Sequence, residues 1–302
     1  MIAASIPLHS IYSLFYEGAD RAAQEAGYVL EQFIMPPAEA EERTRQTLAR
    51  ALDARNIRGL VFWLHPGDMA MLPIDPSRFA LVALGLAQRE GLVDFVCTDM
   101  RHVARLCIVN LLRLGYRRLG LALNGMRPEH AESSALAEML SWQFNHGGDG
   151  PGASPDGATS VRPLVGRGAW GPEVFLDWYR REKPDAIISS DQLAIGWLRE
   201  AGIRVPGDHR GGVAFAHLDI DPGWKGIAGV NQRHTQVGAV AMNLLISLLN
   251  ENRYGLPATP RTIKLQGEWL DGDTAPAKGA GGRGDWHRLA STGFDGFRFK
   301  ST

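Results

Sequence analysis

The feature that most constrains the fold of this chain is an apolar run followed by a polar turn and a helical pattern, between residues 185 and 202. The run from Asp185 to Ile188 is too short and too sharply bounded for a helix, so it predicts a buried strand of a parallel sheet. Apolar residues at helical spacing follow, and Gly202 ends them. A strand, a turn and a helix in this order are typical of an α/β fold.

The turn between that strand and helix carries Ser189, Ser190 and Asp191. Asp191 is predicted to cap the helix, because its carboxylate can accept hydrogen bonds from the free amides of the first turn. Strand-to-helix turns of an open α/β sheet lie at its carboxyl edge, where ligands bind. Ser190 and Asp191 are therefore predicted to face a ligand-binding cleft.

Strand and helix patterns alternate along most of the chain, which predicts parallel sheets covered by helices on both faces. The predicted strands are 2–6, 28–34, 59–64, 79–84, 119–123, 185–188 and 212–215. The predicted helices are 16–26, 39–54, 103–114, 133–144, 172–181 and 192–201. The final residues, 276–302, are rich in glycine and are predicted to form an irregular tail.

The composition narrows the class of protein. With 302 residues, 45% of them hydrophobic, the chain can bury the core of one large or two modest domains. A net charge of −1 gives no basic footprint for nucleic acid. The sequence contains no apolar stretch of the ~20 residues that a membrane span needs, and its start does not resemble a signal peptide. A cytoplasmic protein without a membrane partner is expected, with Cys97 and Cys107 as free thiols.

Motifs for catalysis or cofactor binding are missing from the sequence. The nine histidines lack the spacing of a metal site, and there is no phosphate loop, no dinucleotide-binding glycine pattern after the first strand and no nucleophile elbow. Asp99 and Asp191 could be an acid–base pair, but both are better explained as caps of the helices that follow them. We expect no enzyme activity, no cofactor and no metal.

Several sequence blocks resemble the lactose and galactose repressor (LacI/GalR) family of transcription regulators. Ser189-Ser190-Asp191 stands where that family has Ala-Asn-Asp, and residues 202–208, Gly-Ile-Arg-Val-Pro-Gly-Asp, match its Gly-Leu-Arg-Val-Pro-x-Asp. Residues 214–217, Ala-Phe-Ala-His, correspond to its Gly-Phe-Asp-Asp. An earlier block, Asp99 with a helix and Leu-Gly-Tyr-Arg-Arg-Leu-Gly at 114–120, is similar to a second family motif. The resemblance spans roughly residues 2–275, and the order of the blocks is more specific than any one of them.

The resemblance implies a two-lobe fold like that of periplasmic binding proteins, in which each lobe is a parallel sheet flanked by helices. Three interlobe crossovers are implied, near Thr98, near 230–232 and near 265–267. The N-terminal lobe would comprise residues 2–98 and 233–265, and the C-terminal lobe residues 99–232 and 266–275.

The implied function is that of the effector-binding and dimerisation domain of a bacterial transcription regulator. Its partners would be a small-molecule effector (a sugar, a polyol or a nucleoside-like compound), a second copy of the chain, and operator DNA. No helix-turn-helix precedes Ile2, so DNA binding would come only through a headpiece outside this sequence. The alternative is a solute-binding receptor of a transporter, which shares the two-lobe fold.

A two-lobe receptor binds its ligand with apolar and aromatic walls and a few polar groups. The candidate ligand-binding residues lie at strand ends and on the elements that follow, where Asn124 also lies. They are His9, Tyr12, Phe15, Trp63, Glu138, Trp170, Ser190, Asp191 and His217.

Trp170 has the greatest weight among the aromatic candidates, because it lies in a glycine-flanked loop where it cannot be holding a helix in place. Its indole is predicted to stack on a sugar ring or a base. The alternative is a loop tryptophan folded over the edge of the core. Trp63 lies inside an apolar strand, where a core position and a ligand wall are equally compatible with the pattern.

Three polar positions depart from the family's pattern. Glu138 stands where sugar-binding relatives have arginine, Ser190 where they have asparagine, and Ala216 where they have aspartate. Replacing an arginine by a carboxylate is predicted to make the pocket favour a cationic or neutral hydroxyl-rich ligand over an anion. The alternative is that the alignment of residues 126–145 is displaced by one helical turn.

Overall fold

A computed structural model of the chain describes its backbone in ten stretches. They are residues 2–4, 11–35, 42–63, 75–85, 92–124, 132–146, 161–166, 168–206, 212–220 and 223–278. The chain forms two compact units, and among the described residues it changes from one unit to the other after Asp99, after Gln232 and after Gln266. Residues 147–160 and most of the predicted tail lie outside the described residues.

The first unit contains a six-stranded parallel sheet. Its strands are β1 (Ile2–Ala4), β2 (Phe33–Met35), β3 (Gly59–Trp63), β4 (Ala80–Leu84), β5 (Asp94–Thr98) and β11 (Thr262–Leu265). Their order is β11-β5-β4-β3-β1-β2, and every pairing is parallel. Side chains alternate between the two faces, so Leu60 and Phe62 enter one buried cluster while Val61 enters another.

Helices α1 (Ile11–Glu25) and α7 (His234–Asn250) cover one face of this sheet, and α2 (Glu42–Ala54) contributes Leu52 to the core of the other. The backbones of α1 and α7 come unusually close. A β-carbon on Gly238 would lie 2.0 Å from the carbonyl oxygen of Phe15, and one on Gly18 would lie 1.8 Å from that of Thr235. Only glycine fits at these two positions, because a methyl group would push the helices apart.

The second unit contains a six-stranded sheet of similar design. Its strands are β6 (Leu119–Leu123), β7 (Leu164–Val165), β8 (Ala186–Ser189), β9 (Ala214–His217), β10 (Ala228–Asn231) and β12 (Glu268–Leu270). They lie in the order β12-β10-β9-β8-β6-β7. All pairings are parallel except that of β12, which runs antiparallel to β10 at the edge.

The helices of the second unit are α3 (Met100–Arg113), α4 (Glu132–His146), α5 (Pro172–Glu182) and α6 (Leu193–Glu200). Helices α3 and α4 pack on each other. Helices α5 and α6 pack with Ile187 of β8 and Phe215 of β9 in one buried cluster that holds several aromatic rings. The first residue of α5 is Pro172, where its missing amide leaves no hydrogen bond unmade.

The predicted α/β fold is confirmed, and the element bounds differ in places. Strand β2 begins only at Phe33, so the predicted strand residues 28–32 lie outside it, and Val29 among them is 88% exposed. Strands β5, β7, β10, β11 and β12 are not among the predicted strands; β7 and β12 have only two and three residues, too short to show a period. In the part of the chain that is described, we find no helix with the length and apolar character that crossing a bilayer requires.

Candidate functional site

The candidate site lies at the carboxyl edge of the second sheet, where β6, β8 and β9 end side by side. Ala122 of β6 is the register partner of Ser189, and Ser189 is the partner of His217 on β9. Parallel strands place their following turns at one edge, so the residues after these strands come together. The predicted residues Ser190, Asp191 and His217 therefore share one edge with Asn124.

Asn124 joins three segments of this edge. Its side-chain Nδ2 donates to the Trp170 carbonyl at 3.2 Å and to Oδ2 of Asp191 at 2.7 Å. Its Oδ1 accepts a hydrogen bond from the Trp170 backbone N–H at 2.8 Å. The one amide side chain therefore fixes the loop before α5 against the turn that follows β8.

Asp191 is held in place from both of its carboxylate oxygens. Oδ1 accepts the Leu193 N–H at 2.9 Å, which is the predicted contact with the first turn of α6, and Oδ2 accepts from Asn124. The Asp191 N–H donates to Oγ of Ser189 at 3.0 Å, and that hydroxyl donates to the Ala122 carbonyl at 2.7 Å. The turn is thus rigidified by its own hydrogen bonds.

Trp170 is packed into the core of the second unit. It is 8% exposed, and its indole N–H donates to the Leu123 carbonyl at 3.2 Å. The ring stacks on Phe175 of α5 with centroids 5.6 Å apart and lies tilted against Trp197 of α6 at 5.9 Å. The premise that this loop tryptophan cannot be holding a helix in place is wrong, because the indole anchors both α5 and α6.

The glycines around Trp170 have a packing role. A β-carbon on Gly166 would lie 2.5 Å from Cδ1 of the indole, whereas Gly168 and Gly171 have open space around them. The glycine-flanked loop therefore lets the ring turn inward onto the core. The sequence pattern alone did not distinguish this inward orientation from an outward one.

His217 ends β9 and is 4% exposed. Its Nδ1 accepts a hydrogen bond from the Asp219 N–H at 3.0 Å. Its Nε2 is buried and has no hydrogen-bond partner among the described residues. The imidazole also meets the edge of Trp224, with ring centroids 5.3 Å apart, and Trp224 is 37% exposed.

Two influences on the charge state of His217 oppose each other. Burial lowers its pKa, because the imidazolium is poorly solvated there. The nearby carboxylates of Asp219 and Asp191 favour the charged ring. Burial is the larger effect, so the pKa of His217 lies below its usual value of 6.5 and the ring is neutral at pH 7.

The strand next to His217 approaches it through a glycine. Gly229 of β10 is its register partner, and a β-carbon on Gly229 would lie 2.2 Å from the His217 carbonyl oxygen and 2.8 Å from its nitrogen. Any larger residue at this position would displace the backbone that carries the imidazole.

Glu138 has a different environment from the one predicted. Its side chain is 8% exposed and lies between α4 and α3, where Oε2 accepts from Nε of Arg101 and Oε1 accepts from Nε of Arg105, each at 2.7 Å. Burial raises the pKa of Glu138, but the two arginines outweigh it and hold that pKa below its usual value. One carboxylate and two guanidinium groups leave a net charge of +1, so the predicted preference for cations loses its basis.

The remaining candidates belong to the first unit. Phe15 is 2% exposed and lies in the core under α1 and α7, with its ring 4.7 Å from that of His234, so it is a core residue. Tyr12 is half-buried and packs against the same core. Trp63 is the last residue of β3, and its side chain is not described. His9 lies outside the described residues.

The sequence interpretation missed Arg101 and Arg105. On the observed helix α3 their spacing of four residues places them on one face, but the predicted helix begins only at residue 103. It also missed Trp197 and Trp224, which contact Trp170 and His217. Among the described residues, no group of three or more His, Cys, Asp or Glu side chains is placed to hold a metal ion. Burial raises the pKa of Cys97 to about 11 and raises that of Cys107 further, so both thiols are protonated at pH 7.

Comparison with known proteins identifies the fold. No family model and no curated protein matches the sequence. A transcription regulator like protein from Staphylococcus haemolyticus is 15% identical with a TM-score of 0.65, covering 92% of this chain and 97% of its own. A LacI family transcriptional regulator from Enterococcus faecium with bound ribose is 16% identical with a TM-score of 0.60, covering 91% and 98%.

A periplasmic binding ribose operon repressor protein from Lactobacillus acidophilus is 14% identical with a TM-score of 0.62, covering 91% of this chain and 97% of its own. These neighbours are described as transcription regulators and not as enzymes, which agrees with the expected lack of catalysis. At such identities the likeness establishes the fold. The chain has the two-sheet α/β fold of LacI-family transcription regulators, as its sequence blocks indicate.

Proposed function

We propose that this chain is the effector-binding and dimerisation domain of a LacI-type transcription regulator. The observation that carries the proposal is the likeness, over about nine-tenths of the chain, to regulators of known structure that include one with bound ribose. The effector is a small polar molecule such as a sugar, a polyol or a nucleoside-like compound.

The carboxyl edge of the second sheet supports this proposal. Asn124, Ser190, Asp191 and His217 lie at the ends of three neighbouring parallel strands, which is where open α/β sheets bind ligands. The turn is fixed by Asn124 before any ligand arrives, so little ordering is needed on binding. In this proposal Trp170 supports the site from below, through its contacts with α5 and α6.

Glu138 has an indirect role in the proposed site. Its carboxylate holds the guanidinium groups of Arg101 and Arg105, whose side chains are half exposed. A carboxylate that receives two Nε–H groups fixes the orientation of both arginines. We therefore assign the ligand contact on this side to the arginines and the positioning to Glu138.

The proposal includes a homodimer. On α7, Met242, Leu245 and Leu248 are buried in the core of their own unit, so they are not available to a partner. The second unit instead leaves two apolar side chains exposed four residues apart on α4. They are Leu140 and Phe144. A second copy of the chain would cover these side chains.

A thermal-denaturation screen tests the effector-binding proposal. Ribose, other sugars, polyols, sugar acids and nucleosides are added to the purified chain, and a binder raises the melting temperature by mass action. The matched variants are Asp191→Asn, at the site, and Lys278→Ala, at the opposite edge of the same sheet. Binding that Asp191→Asn weakens and Lys278→Ala leaves unchanged supports the site. A panel without a binder, confirmed by calorimetry, contradicts the proposal.

Sedimentation tests the dimer. A particle of twice the 33.0 kDa chain mass at micromolar concentration is expected, and Leu140→Glu combined with Phe144→Glu should dissociate it. The charge-matched control is Val29→Glu combined with Tyr254→Glu, two exposed residues of the first unit. A monomer at these concentrations would contradict this part of the proposal.

DNA binding by the regulator is assigned to a headpiece outside this sequence. The chain alone, with its net charge of −1, is expected to show no operator affinity at physiological salt. Specific binding to DNA that charge-removing substitutions within this chain abolish would overturn that assignment.

A further inference from the structure

Several polar side chains described at the carboxyl edge of the second sheet are hydrogen-bonded within that edge. Ser189, Asn124 and Asp191 each make hydrogen bonds to the backbone or to each other. His217 uses Nδ1 in the same way, but its Nε2 is buried without a hydrogen-bond partner in the described part of the chain.

The hydrogen bond at Nδ1 determines what Nε2 offers. A nitrogen that accepts the Asp219 N–H carries no proton of its own, so the single proton of the neutral ring sits on Nε2. Nε2 is therefore a donor and not an acceptor. A buried donor without a partner is destabilising, and an acceptor placed against it regains the lost hydrogen bond.

The resemblance to the LacI/GalR family shows how unusual this donor is. The matching family block ends in Asp-Asp where this chain has Ala216-His217, so two carboxylates are replaced by a methyl group and an imidazole whose Nε2 is an N–H donor. On the α4 side, the Glu138 carboxylate is taken up by Arg101 and Arg105, which leaves positive charge there. Both changes favour a ligand that presents acceptors.

We propose that His217 donates its Nε2–H to a proton-free acceptor of the effector, a carboxylate or carbonyl oxygen, and that this chain prefers sugar acids over sugars and polyols. This inference rests on the proposed effector-binding function. It reverses the preference for cations that the sequence alone predicted for this pocket.

Access to Nε2 requires one local movement. The atom is covered in this structure, and Trp224 is a partly exposed ring in contact with the imidazole. Trp224 lies between Gly223 and Gly226, and Gly226 has a φ of +80° that favours glycine. Rotation of the Trp224 side chain would open a path for an acceptor, so its fluorescence should respond when the preferred ligand binds.

The experiment compares ligand pairs that differ only in a carboxylate against a hydroxymethyl group. Calorimetry with D-ribonate and ribitol, D-gluconate and D-glucitol, and D-galacturonate and D-galactose is run on the whole chain and on three variants. His217→Asp restores the family's acceptor, His217→Gln keeps an N–H donor, and Lys278→Ala is the remote control.

In the wild type the acid of at least one pair should bind tighter than its neutral partner. His217→Asp should weaken that acid about 10- to 100-fold, because it removes a charge-assisted hydrogen bond and adds repulsion. It should leave the neutral partner, whose hydroxyl can donate, within about threefold. His217→Gln should retain most of the acid's affinity, and Lys278→Ala all of it.

Three outcomes would overturn the inference. If neutral sugars bind and His217→Asp does not change the ratio within a pair, effector binding stands but the assigned donor is wrong. If no compound binds, the proposed function fails and the inference falls with it. A second measurement needs no ligand: nitrogen NMR of the His217 ring should show the proton on Nε2, and a proton on Nδ1 would contradict the donor.

Discussion

One aspartate lies just before β8 at the amino edge of the second sheet and another lies just after β8 at the carboxyl edge, and the two edges differ in function. At the amino edge, Asp185 accepts the Arg117 N–H at 3.0 Å, the Arg118 N–H at 2.8 Å and Nζ of Lys278 at 2.8 Å. At the carboxyl edge, Asp191 accepts the Leu193 N–H and the Asn124 amide. Both carboxylates therefore have a structural role, since each one joins separate segments of the chain.

The two edges differ in whether a buried polar group is left without a hydrogen-bond partner among the described residues. The amino edge ties α3, β8 and the end of the described chain together, with the Tyr116 hydroxyl donating to the Pro276 carbonyl. The carboxyl edge contains a buried donor on His217 that has no partner among the described residues. An aspartate after a strand is therefore weak evidence for a binding site, whereas a buried donor without a partner is stronger evidence.

Trp170→Ala should cause the largest loss of stability, because it removes a buried ring that supports the carboxyl edge. Loss of the contacts with Phe175 and Trp197 should lower the free energy of unfolding by about 3–5 kcal/mol. Urea denaturation measures it. The matched control is Trp224→Ala, a partly exposed ring whose loss should lower the free energy by about 1 kcal/mol or less. Equal effects would contradict the buried role of Trp170.

Asp185→Ala tests whether the amino edge serves stability alone. The change leaves the amides of Arg117 and Arg118 without their acceptor, so the free energy of unfolding should fall by about 2–3 kcal/mol. Ligand affinity should stay the same when it is measured on the folded protein. The control is Asp177→Ala, an exposed pair with Arg180 that should contribute less than about 1 kcal/mol. A change in ligand affinity would contradict a purely structural role for the amino edge.

The free energy of unfolding should depend on pH through the ionisation of His217 at the carboxyl edge. Because its folded pKa lies below 6.5, the unfolded chain takes up a proton at a higher pH than the folded protein does. Stability from the neutral ring is therefore complete above about pH 7 and falls as the pH drops below about 6.5, by at most ~1.4 kcal/mol per pH unit. Denaturation curves between pH 5 and pH 8 measure the slope. His217→Gln should flatten it, and an unchanged slope would assign the effect to another group.

Lys278→Ala is the smallest expected change. Its Nζ pairs with Asp185 and lies 4.8 Å from the centre of the Tyr116 ring, but the lysine side chain is 42% exposed. Such an exposed pair contributes about 0.2–1 kcal/mol. A salt titration of the denaturation midpoint should show the difference between wild type and variant shrinking as ionic strength rises. A loss as large as that of Asp185→Ala would show that the lysine, rather than the backbone amides, matters for this edge.

The predicted fold followed from strong local patterns. Strand β6 was predicted at its observed bounds, and β8 within one residue, because short apolar runs between polar residues have few alternatives. The antiparallel β12 and the close packing of α1 on α7 depend on residues distant in sequence, which no local period reports. The lobe boundaries remain a prediction from the resemblance, although the two compact units divide after Asp99, Gln232 and Gln266.

The candidate site was predictable in position and less so in orientation. Strand ends placed Asp191 and His217 at one edge, since parallel strands end together. The inward turn of Trp170 and the arginines around Glu138 were not predictable, because each depends on a partner from another element. The sequence shows glycines near Trp170 but does not show on which side of the loop they leave space for the ring.

Gly229 gives the His217 imidazole a history as well as a position. Because a β-carbon at residue 229 would lie 2.2 Å from the backbone carbonyl oxygen of His217, glycine is required there whatever side chain residue 217 carries. Among natural relatives, we expect glycine at the position of Gly229 to persist where the residue at the end of the neighbouring strand changes. A laboratory selection for a new effector that targets His217 should therefore keep Gly229 fixed to reach chains that still fold.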